Sequence, residues 1–218
     1  NGRPEEMKKL TVLACIASFF VTATGVHAAG EAVGDAARGK TLYAVCVACH
    51  GATGEGNPQL NSPMIGGQEV WYVERQLRDF KAGIRGGDPK DVYGAQIRPM
   101  SMTLTDDQAI ADVAAYVGSL KATRHEATIE GDVDKGKAGY ALCVPCHGAK
   151  GEGNVLFNSP RLAGQQDWYV VRQLENFKVG IRGTKPEAPF GMQMRPMAMT
   201  LVDDDAIRNI AAFIATLK

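Results

Sequence analysis

The chain has 218 residues, of which 45% are hydrophobic and 22% charged, with 24 basic and 24 acidic side chains. That length suits one large domain or two small ones, each able to bury a core. A formal net charge of zero lacks the basic excess that nucleic-acid binding calls for, so no nucleic-acid partner is expected.

The N-terminal region reads as a secretory signal. Met7-Lys8-Lys9 supplies a basic start, and Leu10 to about Val21 is an apolar run too short for a comfortable membrane span. Val26-His27-Ala28 offers a small-residue cleavage site, so residues 1–28 are expected to be signal peptide and upstream residues, with the mature chain beginning at Ala29. The alternative is a retained anchor with membrane association. Cys15 falls inside the apolar run and is expected to be lost with it. Four cysteines remain in an oxidising compartment, the periplasm, where two disulfides would be the simplest expectation.

A shift of 97 residues aligns the chain with itself without a gap: residues 35–121 match 132–218 at 49 of 87 positions. Among the matches are Asn61-Ser62-Pro63 with Asn158-Ser159-Pro160, and Gly83-Ile84-Arg85-Gly86 with Gly180-Ile181-Arg182-Gly183. Two copies are too few for a solenoid. The expected organisation is therefore two domains, 29–121 and 132–218, joined by a polar linker, 122–131.

Each half reads as all-α. Asp35 is a plausible N-cap for a helix running into Cys46. A second helix is predicted from about Gln68 to Ala82, with Val70, Val73, Leu77 and Phe80 on one face and Gly83 at its C-terminal end. A third is predicted from Thr105-Asp106-Asp107 to Leu120, carrying Ile110, Val113, Ala114 and Val117. Residues 51–67 and 86–103 are rich in Gly and Pro and read as loops. Loops that long are uncommon without a purpose, and a large ligand completing the core would supply one.

Cys46-Val47-Ala48-Cys49-His50 and Cys143-Val144-Pro145-Cys146-His147 both have the form Cys-x-x-Cys-His, the attachment signature of c-type haem. The spacing brings Cys46 and Cys49, and likewise Cys143 and Cys146, to the two vinyl groups of one porphyrin edge. His50 and His147 are then the proximal iron ligands. A redox dithiol or a zinc site also uses Cys pairs, but neither calls for a histidine directly after the second cysteine in both halves. Two covalently bound haem c groups are expected.

The second axial ligand must come from elsewhere in each half. His125 is the one remaining histidine of the mature chain, and it lies in the linker without a repeat partner. Bis-histidine ligation in both halves is therefore excluded, and methionine is the natural candidate. Arg98-Pro99-Met100-Ser101-Met102 repeats as Arg195-Pro196-Met197-Ala198-Met199. Met100 and Met197 are favoured because each follows a proline whose fixed φ stiffens the strap. Met102 and Met199 are the alternatives, with core filling as the role of whichever pair does not bind iron.

These residues resemble the class I cytochromes c, and the mature chain as a whole resembles the dihaem cytochrome c4 family. The resemblance implies two tandem haem domains packed about a pseudo-twofold axis, with haem edges close enough for fast electron exchange. It implies crossed first and last helices, with Gly39 against Tyr116 and Gly136 against Phe213. It also implies that the carbonyls of Pro63 and Pro160 accept the Nδ1–H bonds of the two histidines. Trp71, Arg75 and Arg85, with Trp168, Arg172 and Arg182, are candidate contacts for the haem propionates.

The charge is unevenly divided. Residues 29–121 hold 9 basic and 11 acidic side chains, and residues 132–218 hold 11 and 9. The two lobes thus carry −2 and +2, a dipole suited to orienting the molecule at a partner. The functions weighed are three. The first is a periplasmic electron carrier between a cytochrome bc complex and a terminal oxidase of the cbb3 or a similar type. The second is the dihaem subunit of a periplasmic dehydrogenase complex. The third, a dihaem peroxidase, needs an iron with an open position, which matched methionine segments in both halves disfavour. The carrier reading leads, with no small-molecule substrate and no catalytic residue.

Overall fold

The computed structural model describes residues 33–123 and 125–218. The expected signal segment, residues 1–28, lies outside them. Among the described residues there are helices and two isolated bridges, Asn57–Ser62 and Asn154–Ser159, but no strand. No helix among them is long and apolar enough to cross a membrane.

The N-terminal lobe contains α1 (Ala36–Leu42), α2 (Ala44–His50), α3 (Val70–Lys81), α4 (Val92–Met102) and α5 (Asp107–Ser119). The C-terminal lobe repeats them as α6 (Val133–Tyr140), α7 (Val144–His147), α8 (Asp167–Lys178), α9 (Pro189–Met199) and α10 (Asp204–Thr216). Asp35 caps α1 by accepting from the backbone N–H groups of Ala37 and Arg38. Asp106 caps α5 through Ala109, and Asp203 caps α10 through Ala206. Gly83 closes α3 at φ +73°, a conformation that a side chain would strain.

Two expectations need correction. The first helix does not run unbroken from Asp35 into Cys46. It breaks at Tyr43, where an i→i+3 bond from Cys46 N to Tyr43 O tightens the chain. The break sets the buried Tyr43 ring in the core, and its hydroxyl donates to Gly51 O at 2.9 Å. Residues 86–103 are not a loop throughout, because α4 occupies Val92–Met102 with Pro99 inside it. Asp91 starts α4 by accepting from Gly94 N, and the carbonyl of Leu104 beyond its end receives the ammonium of Lys81.

In each lobe the first and last helices cross at van der Waals distance. A Cβ added at Gly39 would lie 1.9 Å from Asp112 O and 2.9 Å from Tyr116 Cβ. The same atom at Gly136 would lie 1.9 Å from Asn209 O and 2.9 Å from Phe213 Cβ. Only glycine permits this approach, so the expected pairing with Tyr116 and Phe213 is present. Tyr43, Leu104, Ile110, Val113 and Val117 form the N-terminal core; Tyr140, Val170, Ile210, Ala211 and Ile214 form its counterpart.

The lobes meet reciprocally. Arg75 donates to Asn158 O (2.9 Å) and Asn158 Oδ1 (3.3 Å), and its repeat partner Arg172 donates to Asn61 O (3.2 Å) and Asn61 Oδ1 (2.5 Å). Both asparagines adopt left-handed φ values, +56° and +53°, which asparagine tolerates better than most residues. Reciprocity of this kind, residue i on j and the partner of j on the partner of i, is the signature of a twofold relation. The linker is held in place as well: Asp167 accepts from Thr128 Oγ1 (2.8 Å) and Ile129 N (2.7 Å).

Candidate haem sites

The last turn of α2 places Cys46, Cys49 and His50 on one wall of a cavity, and α7 with the turn before it does the same for Cys143, Cys146 and His147. The two walls belong to a single continuous cavity of about 480 Å³ that runs through both lobes. Its remaining surface is largely apolar, including Ile65, Val73, Leu77, Phe80 and Ile97 from one lobe and Leu162, Val170, Leu174, Phe177 and Met194 from the other.

Both histidines are buried, 8% and 7% exposed. His50 Nδ1 lies 2.8 Å from Pro63 O, and His147 Nδ1 lies 2.8 Å from Pro160 O. A carbonyl only accepts, so Nδ1 carries the hydrogen in each ring and the lone pair is left on Nε2, the atom free to bind a metal. Burial lowers both imidazole pKa values, against the opposing pull of the proline carbonyls, and so favours the neutral ligand form.

The cysteines form no disulfide. Burial, with a smaller contribution from the neighbouring cysteine, pushes Cys46 and Cys143 up to about 11. A redox dithiol requires the opposite, a thiolate stabilised near neutral pH.

Of the four candidate methionines, Met100 and Met197 line the cavity and Met102 and Met199 do not. Their exposures agree: 41% and 39% for the first pair, 56% and 54% for the second. Position on α4 accounts for this placement. Tyr93, Gln96, Ile97 and Met100 follow the i, i+3, i+4, i+7 spacing of one helix face, and that face forms the cavity wall.

The six propionate candidates divide. Trp71 and Trp168 are not part of the cavity wall; each stacks edge-on against the following tyrosine and packs beneath an arginine. Trp168 Nε1 is nevertheless buried without a hydrogen-bond partner among the described residues, a donor still open to an acceptor. Arg75, Arg85, Arg172 and Arg182 do line the cavity. Arg85 Nη1 donates to Gln76 Oε1 (2.7 Å) and Arg182 Nη1 to Gln173 Oε1 (2.5 Å), with longer cross-lobe bonds to the opposite glutamine. Arg85 is 9% exposed, and its Nε has no hydrogen-bond partner among the described residues. A buried cationic donor of this kind suits an anionic acceptor.

In each lobe, then, two thiols, an imidazole with a free Nε2, a thioether and buried or half-buried cationic donors surround an apolar cavity. This donor set fits a covalently held porphyrin with two carboxylate tails. Fold and sites together define a tandem c-type cytochrome.

The cytochrome c family model matches residues 36–121 and again 133–218. Cytochrome c4 of Azotobacter vinelandii is 36% identical over 204 residues, spanning 88% of this chain and 94% of that protein. The crystal structure of reduced recombinant cytochrome c4 from Pseudomonas stutzeri superposes with a TM-score of 0.70 at 31% identity, over 85% of this chain and 100% of that one. A thiosulfate dehydrogenase electron acceptor of Thiomonas intermedia is 32% identical over 149 residues, 66% of this chain and 67% of that protein. The chain belongs to the cytochrome c4 family, an electron-transfer family, and carries two covalently bound haem c groups.

Proposed function

We propose that this protein is a periplasmic electron carrier that connects a membrane-bound donor, such as a cytochrome bc complex, to a terminal oxidase of the cbb3 or a similar type. The observation that carries the reading is the single cavity holding two complete and matched ligand sets. Cys46 and Cys49 anchor one haem, Cys143 and Cys146 the other. His50 with Met100, and His147 with Met197, would hold the two irons. When bound, each haem supplies a one-electron couple whose potential methionine ligation raises.

The protein's own residues set the conditions of transfer. Pro63 and Pro160 fix the tautomer and ring plane of the histidines. Arg75, Arg85, Arg172 and Arg182, which line the cavity, would offset the charge of the propionates. The apolar walls exclude water. With a histidine and a methionine as ligands, each haem would serve electron transfer rather than substrate chemistry. The lobe charges of −2 and +2 favour one end for each partner.

A second reading has a specific observation behind it: a relative bears the name thiosulfate dehydrogenase electron acceptor. On that reading the donor is a periplasmic dehydrogenase, and the same two haems accept its electrons. Stopped-flow mixing separates the two. The carrier reading expects rapid oxidation of the reduced protein by oxidase-containing membranes, slowing as ionic strength rises. Rapid reduction by a dehydrogenase with its substrate, and no reaction with the membranes, would establish the second reading instead.

A further inference from the structure

Residues 64 and 161 are repeat partners, and the opposite lobe grips each of them. Met64 N–H donates to Gln166 Oε1 at 2.6 Å, and Arg161 N–H donates to Glu69 Oε2 at 3.1 Å. These N–H groups belong to the peptides Pro63–Met64 and Pro160–Arg161. The carbonyls of those same two peptides accept from His50 Nδ1 and His147 Nδ1. One amide thus has its oxygen on a histidine of its own lobe and its hydrogen on a side chain of the other lobe.

Hydrogen bonds at the two ends of an amide polarise it together, so a stronger acceptor at the N–H makes the carbonyl a stronger acceptor in turn. The approach is built for this contact. A Cβ at Gly56 would lie 2.6 Å from Met64 N and 2.8 Å from Gln166 Nε2, and one at Gly153 would lie 2.7 Å from both Arg161 N and Glu69 Oε1. The two ends are unequal. Gln166 is a neutral amide that also donates through Nε2 to Glu55 O at 3.2 Å. Glu69, as a carboxylate, only accepts, and charge-assisted bonds are the stronger kind.

We propose that Gln166 and Glu69 are positioning residues that tune the axial histidine of the opposite lobe through one shared peptide, Gln166 acting on His50 and Glu69 on His147. The proposal rests on the reading of these histidines as iron ligands. A stronger bond at Nδ1 makes the imidazole a more basic ligand, which favours the oxidised iron and lowers the potential. The neutral-versus-charged difference at positions 166 and 69 gives the two haems unequal tuning from otherwise repeated surroundings, and makes each potential depend on the lobes staying packed.

The test is an NMR-monitored redox titration that resolves the two haems, run on the full haem-loaded protein. Gln166→Ala changes no charge, and it raises the N-terminal haem potential while leaving the other in place. Glu69→Gln raises the C-terminal potential, and Glu69→Ala raises it further because no acceptor is left; a purely coulombic effect would shift the two variants equally. Gln165→Ala is the control. It removes a cross-lobe bond of similar length, Gln165 Nε2 to Met64 O at 3.0 Å, and the bond that Gln165 Oε1 accepts from Gln166 N at 3.0 Å, but it leaves the acceptor on the shared peptide in place, so it moves the N-terminal potential by much less than Gln166→Ala. The histidine Nδ1–H resonances shift in the same haem-specific pattern. With both histidines shown by their hyperfine-shifted resonances to be ligands, unmoved potentials in Gln166→Ala, or equal shifts in Gln166→Ala and Gln165→Ala, overturn the relay alone. Absence of either histidine from the hyperfine-shifted set overturns the ligand reading and the relay with it.

Discussion

Arg38 and Asp112 form a two-pronged ion pair, Nε to Oδ2 at 2.8 Å and Nη2 to Oδ1 at 3.0 Å, that joins α1 to α5 at the helix crossing. The same carboxylate accepts from Asp35 N (2.7 Å) and Gln108 Nε2 (2.9 Å). In the C-terminal lobe the repeat positions are Lys135 and Asn209, and Asn209 Oδ1 accepts from Asp132 N alone. The two crossings are alike in shape, but only the first depends on charge.

This difference predicts a lobe-specific acid response. The hydrogen bond from Arg38 holds the Asp112 carboxyl well below its ordinary value of 3.8. A depressed folded-state pKa contributes stability that is fully present above the unfolded value and is lost as pH falls below it. Hydrogen exchange resolved by lobe should therefore show α1 and α5 loosening as pH drops below 3.8, before α6 and α10. Asp112→Asn should destabilise the N-terminal lobe at neutral pH and remove the difference in acid response between the lobes.

The glycine crossings predict a steric effect. Gly39→Ala and Gly136→Ala each force a methyl group into a backbone carbonyl and should cost about 1–3 kcal/mol, as overpacking generally does. Thermal unfolding followed by lobe should place each loss in the lobe that carries the substitution. An unchanged midpoint for either variant would mean that the helices can separate without penalty.

Tyr43 and Tyr140 are both 1% exposed, and their hydroxyls donate to Gly51 O and Gly148 O at 2.9 Å, just beyond the histidines. Phenylalanine keeps the packing and removes the bond. Tyr43→Phe and Tyr140→Phe should each cost about 1 kcal/mol by denaturant unfolding, with somewhat more if the carbonyl stays dry.

The reciprocal arginines predict how firmly the lobes cohere. Arg75 stacks at 4.9 Å on Phe190 of the other lobe as well as bonding Asn158, and Arg172 lies 3.9 Å from the Tyr93 ring as well as bonding Asn61. Each single alanine variant should weaken cohesion by about 2 kcal/mol. Together, Arg75→Ala and Arg172→Ala should turn one calorimetric transition into two, one for each lobe.

Much of the architecture was legible because the chain states it twice. The 97-residue repeat, the two Cys-x-x-Cys-His segments and the caps Asp35 and Asp106 are local signals, and the helices begin where they indicate. Helix α4 was not legible. Pro99 and Gly94 mark a loop by composition, and the apolar face of α4 (Tyr93, Ile97 and Met100) lines the cavity, with Arg172 of the other lobe packed on Tyr93. A face turned largely to a cavity gave only a weak periodic signal. Position on that face puts Met100 on the cavity wall and Met102 off it. The cross-lobe contacts of Arg75, Gln166 and Glu69 left no trace in the local sequence, since hydrogen bonds between residues about 80 to 110 positions apart have no periodicity to read.

Paired histidine–methionine ligation is tested most directly by the methionine-to-iron charge-transfer band at the red edge of the oxidised absorption spectrum. The wild type should show the band at the intensity of two haems. Met100→Ala and Met197→Ala should each remove about half of it, as expected for two independent sites, whereas Met102→Ala and Met199→Ala should leave it intact. A wild type with no band or half a band, or loss of the band on substituting Met102 or Met199, would contradict the assignment and reopen the question of an iron with a free coordination position.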